Sequence, residues 1–246
     1  MGELVLMRHG ESAWNRDKHF TGWADVPLTA RGHRQAHRAA AVMCRNNFIP
    51  DICFSSCLER AAETAAVVAT ELGVDKTLVI RDWRLNERHY GQLQGMRPVD
   101  AIRSFGAANV RMWQRDFSSV PPGVARDDPR HPCNDPIYAD IAPEELPAAE
   151  SIHCAQLRAA SWYEENLRPL LQAGRRILIV SHANLIKGLI HRIENLPDEN
   201  VRRLAIPVAA PLFYRVNEGL GFSDKRYLGW NLSSLVASLL APRFAR

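Results

Sequence analysis

Short apolar runs alternate along the chain with longer segments in which apolar residues recur at helical spacing. A short continuous apolar run indicates a strand buried on both faces, and a spacing of three to four residues indicates a helix. The predicted strands are Leu4–Met7, Asp51–Phe54, Leu78–Ile80, Arg175–Val180 and Pro211–Val216. The predicted helices are Ala30–Cys44, Leu58–Leu72, Val99–Phe117 in one or two pieces, Glu150–Leu171 and His182–Ile193.

This alternation predicts an α/β fold with a mostly parallel central sheet and helices on both faces. The chain has neither an internal repeat nor a low-complexity linker, so we expect one domain over residues 1–246. Residues 118–147 show little periodicity and are rich in proline and aspartate, which is typical of a lid-like insertion or of a functionless surface loop. Residues 230–246 form an apolar C-terminal tail that we expect to pack or to pair with a partner.

Composition excludes several classes of protein. Lysine and arginine outnumber aspartate and glutamate by 31 to 27, an excess too small to indicate a nucleic-acid surface, although converging arginines suit a small anionic substrate. Five cysteines without a C-x-x-C pair favour a reducing compartment. No apolar run reaches the roughly 18 residues needed to span a bilayer, and Arg8 interrupts the first run too early for a signal peptide. We therefore expect a cytoplasmic protein without a membrane partner.

A histidine follows closely after each of two predicted strands. His9 follows Leu4–Met7 and Arg8, and His182 follows Arg175–Val180 and a serine. Ligands of open α/β sheets bind beyond the carboxyl ends of the strands, so parallel neighbours would bring both imidazoles to one edge.

Arg60, after a third strand, and Glu87, in an arginine-rich segment, complete the groups needed for phosphoryl transfer through a histidine. An imidazole attacks phosphorus, guanidinium groups hold its oxygens, and a carboxyl group moves the proton. Each residue taken singly also has a structural interpretation: a satisfied histidine, a solvated arginine, or half of a salt bridge.

The motifs "RHGES-x-WN", "F-T-G-W", "ERA-x-x-T", "RLNERHYG-x-L-x-G" and "SHAN" together resemble the histidine phosphatase superfamily, and more closely its cofactor-dependent phosphoglycerate mutase branch. The similarity runs from Leu4 to about Gly229. The resemblance implies a mostly parallel sheet, a phosphohistidine intermediate, and 2,3-bisphosphoglycerate as the phosphoryl primer, with no metal. It also implies a small phosphorylated substrate and a homodimer or homotetramer.

The resemblance also assigns roles to residues. The implied catalytic residues are His9 as nucleophile, Arg8 and Arg60 against the phosphoryl group, His182 as the second histidine and Glu87 as proton shuttle. The implied substrate-binding residues are Asn15, Thr21, Gly22, Arg88, Tyr90, Arg97, Arg115 and Asn184.

The chain departs from the mutase pattern on the substrate side. Pro98 stands where that pattern has a substrate-binding lysine, and Arg97 beside it is the expected substitute. Gln114 replaces one of two arginines after a tryptophan, which leaves Arg115, and Ala183 replaces a glycine after the second histidine.

Three hypotheses follow. The first is a mutase that interconverts 3- and 2-phosphoglycerate, and the second is a phosphatase or phosphomutase of another phosphorylated small acid. The third is a catalytically degenerate binding or regulatory protein.

Overall fold

A computed structural model describes residues 1–217 and 219–229 of the chain, so the tail predicted at 230–246 lies outside the described residues. Its strands are β1 (Gly2–Arg8), β2 (Ile52–Ser55), β3 (Val79–Arg81), β4 (Arg176–Ser181), β5 (Leu212–Val216) and β6 (Phe222–Tyr227). They form one sheet in the order β3-β2-β4-β1-β5-β6. The pairs β1–β4, β2–β4 and β2–β3 are parallel, while β5 and β6 extend the sheet antiparallel at one edge.

The predicted α/β fold is confirmed, with one strand missed. β6 has the sequence FSDKRY and a mixed, mostly polar surface, so it offers no apolar run from which a strand is predicted. The helices are α1 (Ala13–Arg16), α2 (Ala30–Arg45), α3 (Glu59–Glu71), α4 (Pro98–Phe105), α5 (Ala107–Arg115), α6 (Ile152–Trp162), α7 (Arg168–Gln172), α8 (Ala183–Glu194) and α9 (Asp198–Arg203).

Two long predicted helices are divided in the structure. Gly106, with φ of 82°, separates α4 from α5, so the alternative of two pieces holds there. The segment predicted as one helix from residue 150 to 171 is interrupted by a π-helical turn at Tyr163–Leu167. Pro169 follows this turn and has no backbone N–H, and its ring excludes the carbonyl one turn earlier, which accounts for the widened turn.

The core lies on both faces of the sheet because β1 and β4 bury alternate residues on opposite sides. Leu4 and Leu6 pack with Trp162 against α6 and α8. Val5 and Met7 pack on the other face, among the alanine-rich surfaces of α2 and α3. These strand residues are at most 1% exposed, as a continuous apolar run predicts. No helix in the described part of the chain is long and apolar enough to cross a membrane.

The register of β1 on β4 places the two histidines side by side. Arg8 is paired with Ser181 at the end of the ladder, and the His9 N–H donates to the Ser181 carbonyl at 3.0 Å. His9 and His182 are therefore the first residues beyond the two strands.

A contact between two glycines fixes the chain directly after His9. A Cβ on Gly10 would lie 2.5 Å from the Gly32 carbonyl oxygen, and a Cβ on Gly32 would lie 2.2 Å from the Glu11 carbonyl oxygen. Gly10 is not among the glycines with positive φ, so it is required here by the close approach of the first turn of α2. The Gly10 N–H also donates to Thr64 Oγ1 at 3.0 Å, which joins this point to α3.

The substitution Gly10→Ala should destabilise the fold by about 1–3 kcal/mol, because the added methyl group has no space and backbone must shift. Chemical denaturation of the two proteins measures the difference in the free energy of unfolding. Gly219→Ala is the matched control, since among the described residues its Cβ would meet only Asn217 Oδ1, at 3.7 Å. Equal stability of Gly10→Ala and the control would contradict the assignment of a tight glycine contact.

Candidate active site

The ring of His9 is oriented by its own neighbour. His9 is 2% exposed, and its Nδ1 lies 2.6 Å from the Gly10 carbonyl oxygen. A carbonyl oxygen only accepts hydrogen bonds, so Nδ1 carries the proton and Nε2 of the neutral ring keeps a lone pair. The ring thus presents Nε2 as a nucleophile.

His182 faces His9 across the end of the sheet. The two ring centroids are 4.9 Å apart with an interplanar angle of 57°. His182 Nε2 lies 2.7 Å from Ser56 Oγ, in the segment that follows β2. Its Nδ1 is buried and has no hydrogen-bond partner among the described residues. Sequence reasoning missed Ser56, because no motif marked its contact with the second histidine.

Arg60 brings a buried positive charge beside the two rings. It is 1% exposed and lies in the first turn of α3. Its Nη2 donates to the Gly22 carbonyl at 2.7 Å and its Nη1 to the Ala24 carbonyl at 3.0 Å. Nε of Arg60 has no partner among the residues that the structure describes. A buried N–H of this kind is a donor available to an anion.

Burial and two arginine charges keep both active-site histidines neutral. Burial first, then the charges of Arg60 and Arg8, hold the pKa of His9 well below its usual range, although its bond to Gly10 acts in the opposite direction. Burial and Arg60, followed by His9 and Arg8, likewise lower the pKa of His182. Burial lowers the pKa of Arg60 to about 10, so the guanidinium stays charged at neutral pH. Both imidazoles are therefore neutral beside two cations.

The carboxylate of Glu87 lies at the N-terminus of α8. Its Oε1 accepts from the backbone N–H of Asn184 at 3.2 Å and from that of Arg88 at 2.9 Å. A helix N-terminus favours a negative charge, and the charge of Glu87 in turn acts on Arg60. Glu87 is thus fixed beside the histidine pair, in a position suited to moving a proton.

A buried ion pair holds the backbone around Glu87. Arg158 on α6 contacts Glu150 at 2.7 Å, with both side chains less than a tenth exposed. The Arg158 guanidinium also donates to the carbonyls of Arg84, Asn86 and Glu87, and Glu150 accepts from the His89 N–H. Sequence reasoning missed this pair because neither residue belongs to a motif that we interpreted; their partners become apparent only when α6 packs against the loop.

Other predicted residues surround this group. Arg88 is 1% exposed and donates to the carbonyls of Glu150 and Trp113, so its charge supports the loop and stacks over the Tyr90 ring. The hydroxyl of Tyr90 lies 3.3 Å from Asn184 Nδ2.

The segment from Asn15 to Gly22 contributes mainly through its backbone. The Asn15 side chain accepts from the Ser12 N–H in a capping box at the start of α1. Thr21 is 8% exposed, and Gly22 has φ of 54° and presents its carbonyl to Arg60.

Residues from the predicted insertion also approach the site. Tyr138 packs its ring 5.3 Å from that of Trp23, and Asn86 Nδ2 lies 2.9 Å from its hydroxyl. The Trp23 indole N–H donates to the Glu87 carbonyl at 2.5 Å. Residues 118–147 contain only two short 3₁₀ turns among the described elements, and they cover the loop that carries Glu87. The lid function of residues 118–147 remains a prediction.

Comparison with known proteins decides the family. A family model described as the histidine phosphatase superfamily (branch 1) matches residues 4–131 and 125–220. The chain belongs to the histidine phosphatase superfamily. It is an enzyme, either a phosphoglycerate mutase or a related histidine phosphatase.

Relatives within the superfamily cover almost the whole chain. A protein from Nitrosomonas europaea named 2,3-bisphosphoglycerate-dependent phosphoglycerate mutase 1 is 43% identical over 225 residues, which are 92% of this chain and 96% of that protein. A protein from Nitratidesulfovibrio vulgaris named 2,3-bisphosphoglycerate-dependent phosphoglycerate mutase is 39% identical, covering 93% of this chain and 92% of its own length.

Solved structures of other histidine phosphatases share the fold. A putative α-ribazole-5′-P phosphatase from Escherichia coli gives a TM-score of 0.70 at 24% identity, covering 92% of this chain and 95% of that one. A mycobacterial glucosyl-3-phosphoglycerate phosphatase gives 0.69 at 23% identity, covering 94% and 99%. At these sequence identities, the comparison shows a shared fold and nothing more.

The substrate side differs from the mutase pattern of the superfamily. Pro98 occupies the first turn of α4, where proline is favoured, and the Arg97 guanidinium binds Asp100 at 2.9 Å with its side chain 58% exposed. Arg97 is therefore engaged at the surface, and the structure gives no geometric support to its predicted role as a substitute clamp. Arg115 and Gln114 line a cavity together with Asn184. Ala183 begins α8 without positive φ, so a glycine is not required there.

Within the described residues, no group of three histidine, cysteine, aspartate or glutamate side chains is placed to hold a metal ion. His37 on α2 lies 3.1 Å from Glu71 on α3.

Replacing Arg60 with glutamine should raise the pKa of both His9 and His182, because the largest charge that disfavours their protonation is removed. Side-chain NMR titration of the ring nitrogens measures the change, and the rings of the unaltered protein should stay neutral below pH 6.5. Arg34→Gln, a substitution at an exposed position of α2, should leave both titrations unchanged. Unaltered His9 and His182 titrations in Arg60→Gln would contradict the proposed coupling.

Proposed function

We propose that this enzyme interconverts 3- and 2-phosphoglycerate through a phosphorylated His9 and that 2,3-bisphosphoglycerate primes it. The observation that carries the proposal is the pair of facing imidazoles, 4.9 Å apart, with His9 Nε2 left free beside the charge of Arg60. The names of the 37–43% identical relatives support the choice of substrate.

The site has unpartnered donors of the kind that a phosphoryl group requires. Arg60 Nε is buried without a partner within the described residues, and so is Nδ1 of His182. Burial of such groups is costly unless an acceptor reaches them, and phosphoryl oxygens are strong acceptors. When bound, 2,3-bisphosphoglycerate supplies the first phosphoryl group to the site.

Phosphorylation of His9 is an in-line displacement. Nε2 of His9 forms a bond to phosphorus while the bond from phosphorus to the ester oxygen breaks, and the protonated form of Glu87 gives its proton to that oxygen and becomes the carboxylate. β1 and the Nδ1 bond to Gly10 hold the attacking nitrogen in a fixed direction, which removes most of the orientational cost.

Positive charge accumulates where the transition state carries negative charge. Arg8 and Arg60 stabilise the equatorial oxygens, and His182 adds its Nδ1 from the opposite side. Ser56 fixes the His182 ring through Nε2, so the ring does not need to reorganise as the reaction proceeds.

The second transfer reverses the first. The Glu87 carboxylate takes the proton of the acceptor hydroxyl as that oxygen bonds to phosphorus and the bond to His9 breaks. Asn184 and Tyr90 contact the phosphoglycerate that remains between the two transfers, with Arg115 at its carboxylate end. Asn15, Thr21 and Gly22 line the phosphate side. The bacterial relatives support a cytoplasmic location.

His9→Ala should abolish formation of acid-labile phosphoprotein from 2,3-bisphosphoglycerate and should abolish mutase activity in a coupled assay. His37→Ala is the control, since this half-exposed histidine contacts Glu71 on α3. Activity in His9→Ala equal to that of the control would remove the phosphohistidine mechanism.

Glu87→Gln should slow transfer from 3-phosphoglycerate by about 10²–10⁴-fold, because glutamine cannot deliver a proton to an alkoxide. Transfer from 4-nitrophenyl phosphate should be slowed much less, since its leaving group departs without protonation. Single-turnover phosphorylation of His9 by each donor measures the two rates. Equal losses with both donors would show that Glu87 is not the proton donor.

A phosphatase is the second candidate, favoured by the engagement of Arg97 with Asp100 and by Gln114 in the cavity wall. Both features remove positive charge from the substrate side. A weakly held glycerate leaves before the second transfer, and water then attacks the phosphohistidine.

Gln114→Arg should raise the ratio of mutase to phosphatase activity by about tenfold, because one charged hydrogen bond to an anion contributes about 1.5–3 kcal/mol. The ratio is measured as 2-phosphoglycerate formed against inorganic phosphate released. Met112→Arg adds the same charge at an exposed position of α5 and should change nothing. A ratio that stays constant in Gln114→Arg would remove the clamp explanation.

A further inference from the structure

A cavity of about 360 Å³ opens between the end of α5 and helices α6, α8 and α9. It meets the proposed catalytic group at Asn184, whose backbone N–H binds Glu87. A substrate with its phosphoryl group between His9 and His182 would extend past Asn184 into this space. The cavity is therefore placed to receive the end of the substrate that is not transferred.

The wall of this cavity is strongly cationic. Arg115, Lys187, Arg202 and Arg203 line it, against one acidic residue, Glu199. In residues 1–217 and 219–229, no carboxylate lies within 4.0 Å of these three guanidinium groups. Lys187 Nζ donates to the Arg202 carbonyl at 3.1 Å, which ties α8 to α9. The excess positive charge on the walls creates a positive potential that attracts an anion.

Gln156 on α6 gives a second, independent indication of a ligand. It lines the cavity, is 4% exposed, and neither its amide oxygen nor its amide nitrogen has a partner within the described chain. α8 packs closely against it, since a Cβ on Gly188 would lie only 3.3 Å from Gln156 Cγ and 3.1 Å from its Cα. A buried amide without partners is costly, so a group that both accepts and donates hydrogen bonds is needed beside it.

We propose that this cavity is a specificity subsite for an anionic group, carboxylate or phosphate, with a hydroxyl beside it, on the non-transferred end of the substrate. Arg202, Arg203 and Lys187 contact the anion, while the amide of Gln156 donates to the anion and accepts from the hydroxyl. The inference rests on the proposed function, because it assumes that the phosphoryl group lies at His9. It adds α6 and α9 to the substrate-binding elements, neither of which carries a predicted substrate residue.

Binding is measured by calorimetry in a His9→Ala background, where no transfer takes place. The probes are 3-phosphoglycerate, whose second group is a carboxylate, fructose 1,6-bisphosphate, whose second group is a phosphate, and glycerol 3-phosphate, which has hydroxyls but no second anion. We expect at least one anionic probe to bind about tenfold or more tightly than glycerol 3-phosphate. Which of the two does so identifies the anion.

Arg202→Gln/Arg203→Gln should reduce this preference by about tenfold or more, with little change for glycerol 3-phosphate. Arg202→Lys/Arg203→Lys should keep most of it, because the charges remain. Arg34→Gln/Arg38→Gln removes two charges from exposed positions of α2 and is the matched control. Gln156→Leu should weaken binding of the anionic probe and raise the melting temperature of the protein, since it removes an unpaired buried amide.

Equal binding of all three probes by the His9→Ala protein would overturn the subsite. So would an anion preference that survives in Arg202→Gln/Arg203→Gln. The same applies to a preference that Arg34→Gln/Arg38→Gln reduces to the same extent. The proposed function has a separate readout, acid-labile phosphate on the chain with native His9. Phosphorylation without any anion preference rejects the subsite alone, whereas no phosphorylation rejects the proposed function.

Discussion

The candidate site depends on one buried charge, the guanidinium of Arg60. Two backbone carbonyls, those of Gly22 and Ala24, hold it in an interior position where water does not reach. Its charge persists there and, with burial, keeps the His9 and His182 rings neutral. In the proposed mechanism, the same charge that frees a lone pair for attack also attracts the phosphate that is attacked. In the proposed mechanism, removal of the Arg60 charge would change the protonation of the nucleophile and weaken phosphate binding. The two functions are therefore not separable at this position.

Most of the fold and the centre of the site follow from local patterns. The run before His9 and the run before His182 are continuous and apolar, and such runs form parallel strands whose carboxyl ends meet. That rule alone predicts the imidazole contact, because strand register leaves little freedom one residue past the ladder. Most of the longer helices were predictable for a similar reason, including a possible division of Val99–Phe117, which occurs at Gly106. The error lies at residues 150–171, where a π-helical turn precedes Pro169.

The supporting residues were not predictable in this way. Ser56, Glu150 and Arg158 act through partners that lie far away in the chain, and their positions depend on how α6 and the β2–α3 link pack. Gly10 is required by its neighbour in space, Gly32, and that contact depends on how α2 packs against the end of β1. Arg97 was placed near the substrate by its position in the chain, but a nearby carboxylate, Asp100, engages it. A sequence pattern specifies which residues are present, while competition between partners decides which of them are available.

The order of the strands has a consequence for synthesis of the protein. β4 lies between β1 and β2, yet it is made long after both. A ribosome-bound chain that has already exposed His9 and Arg60 still lacks the strand that completes the sheet and the imidazole that follows it. If His9 is phosphorylated as proposed, the growing polypeptide cannot assemble the phosphorylation site until most of its length has emerged, together with the finished core.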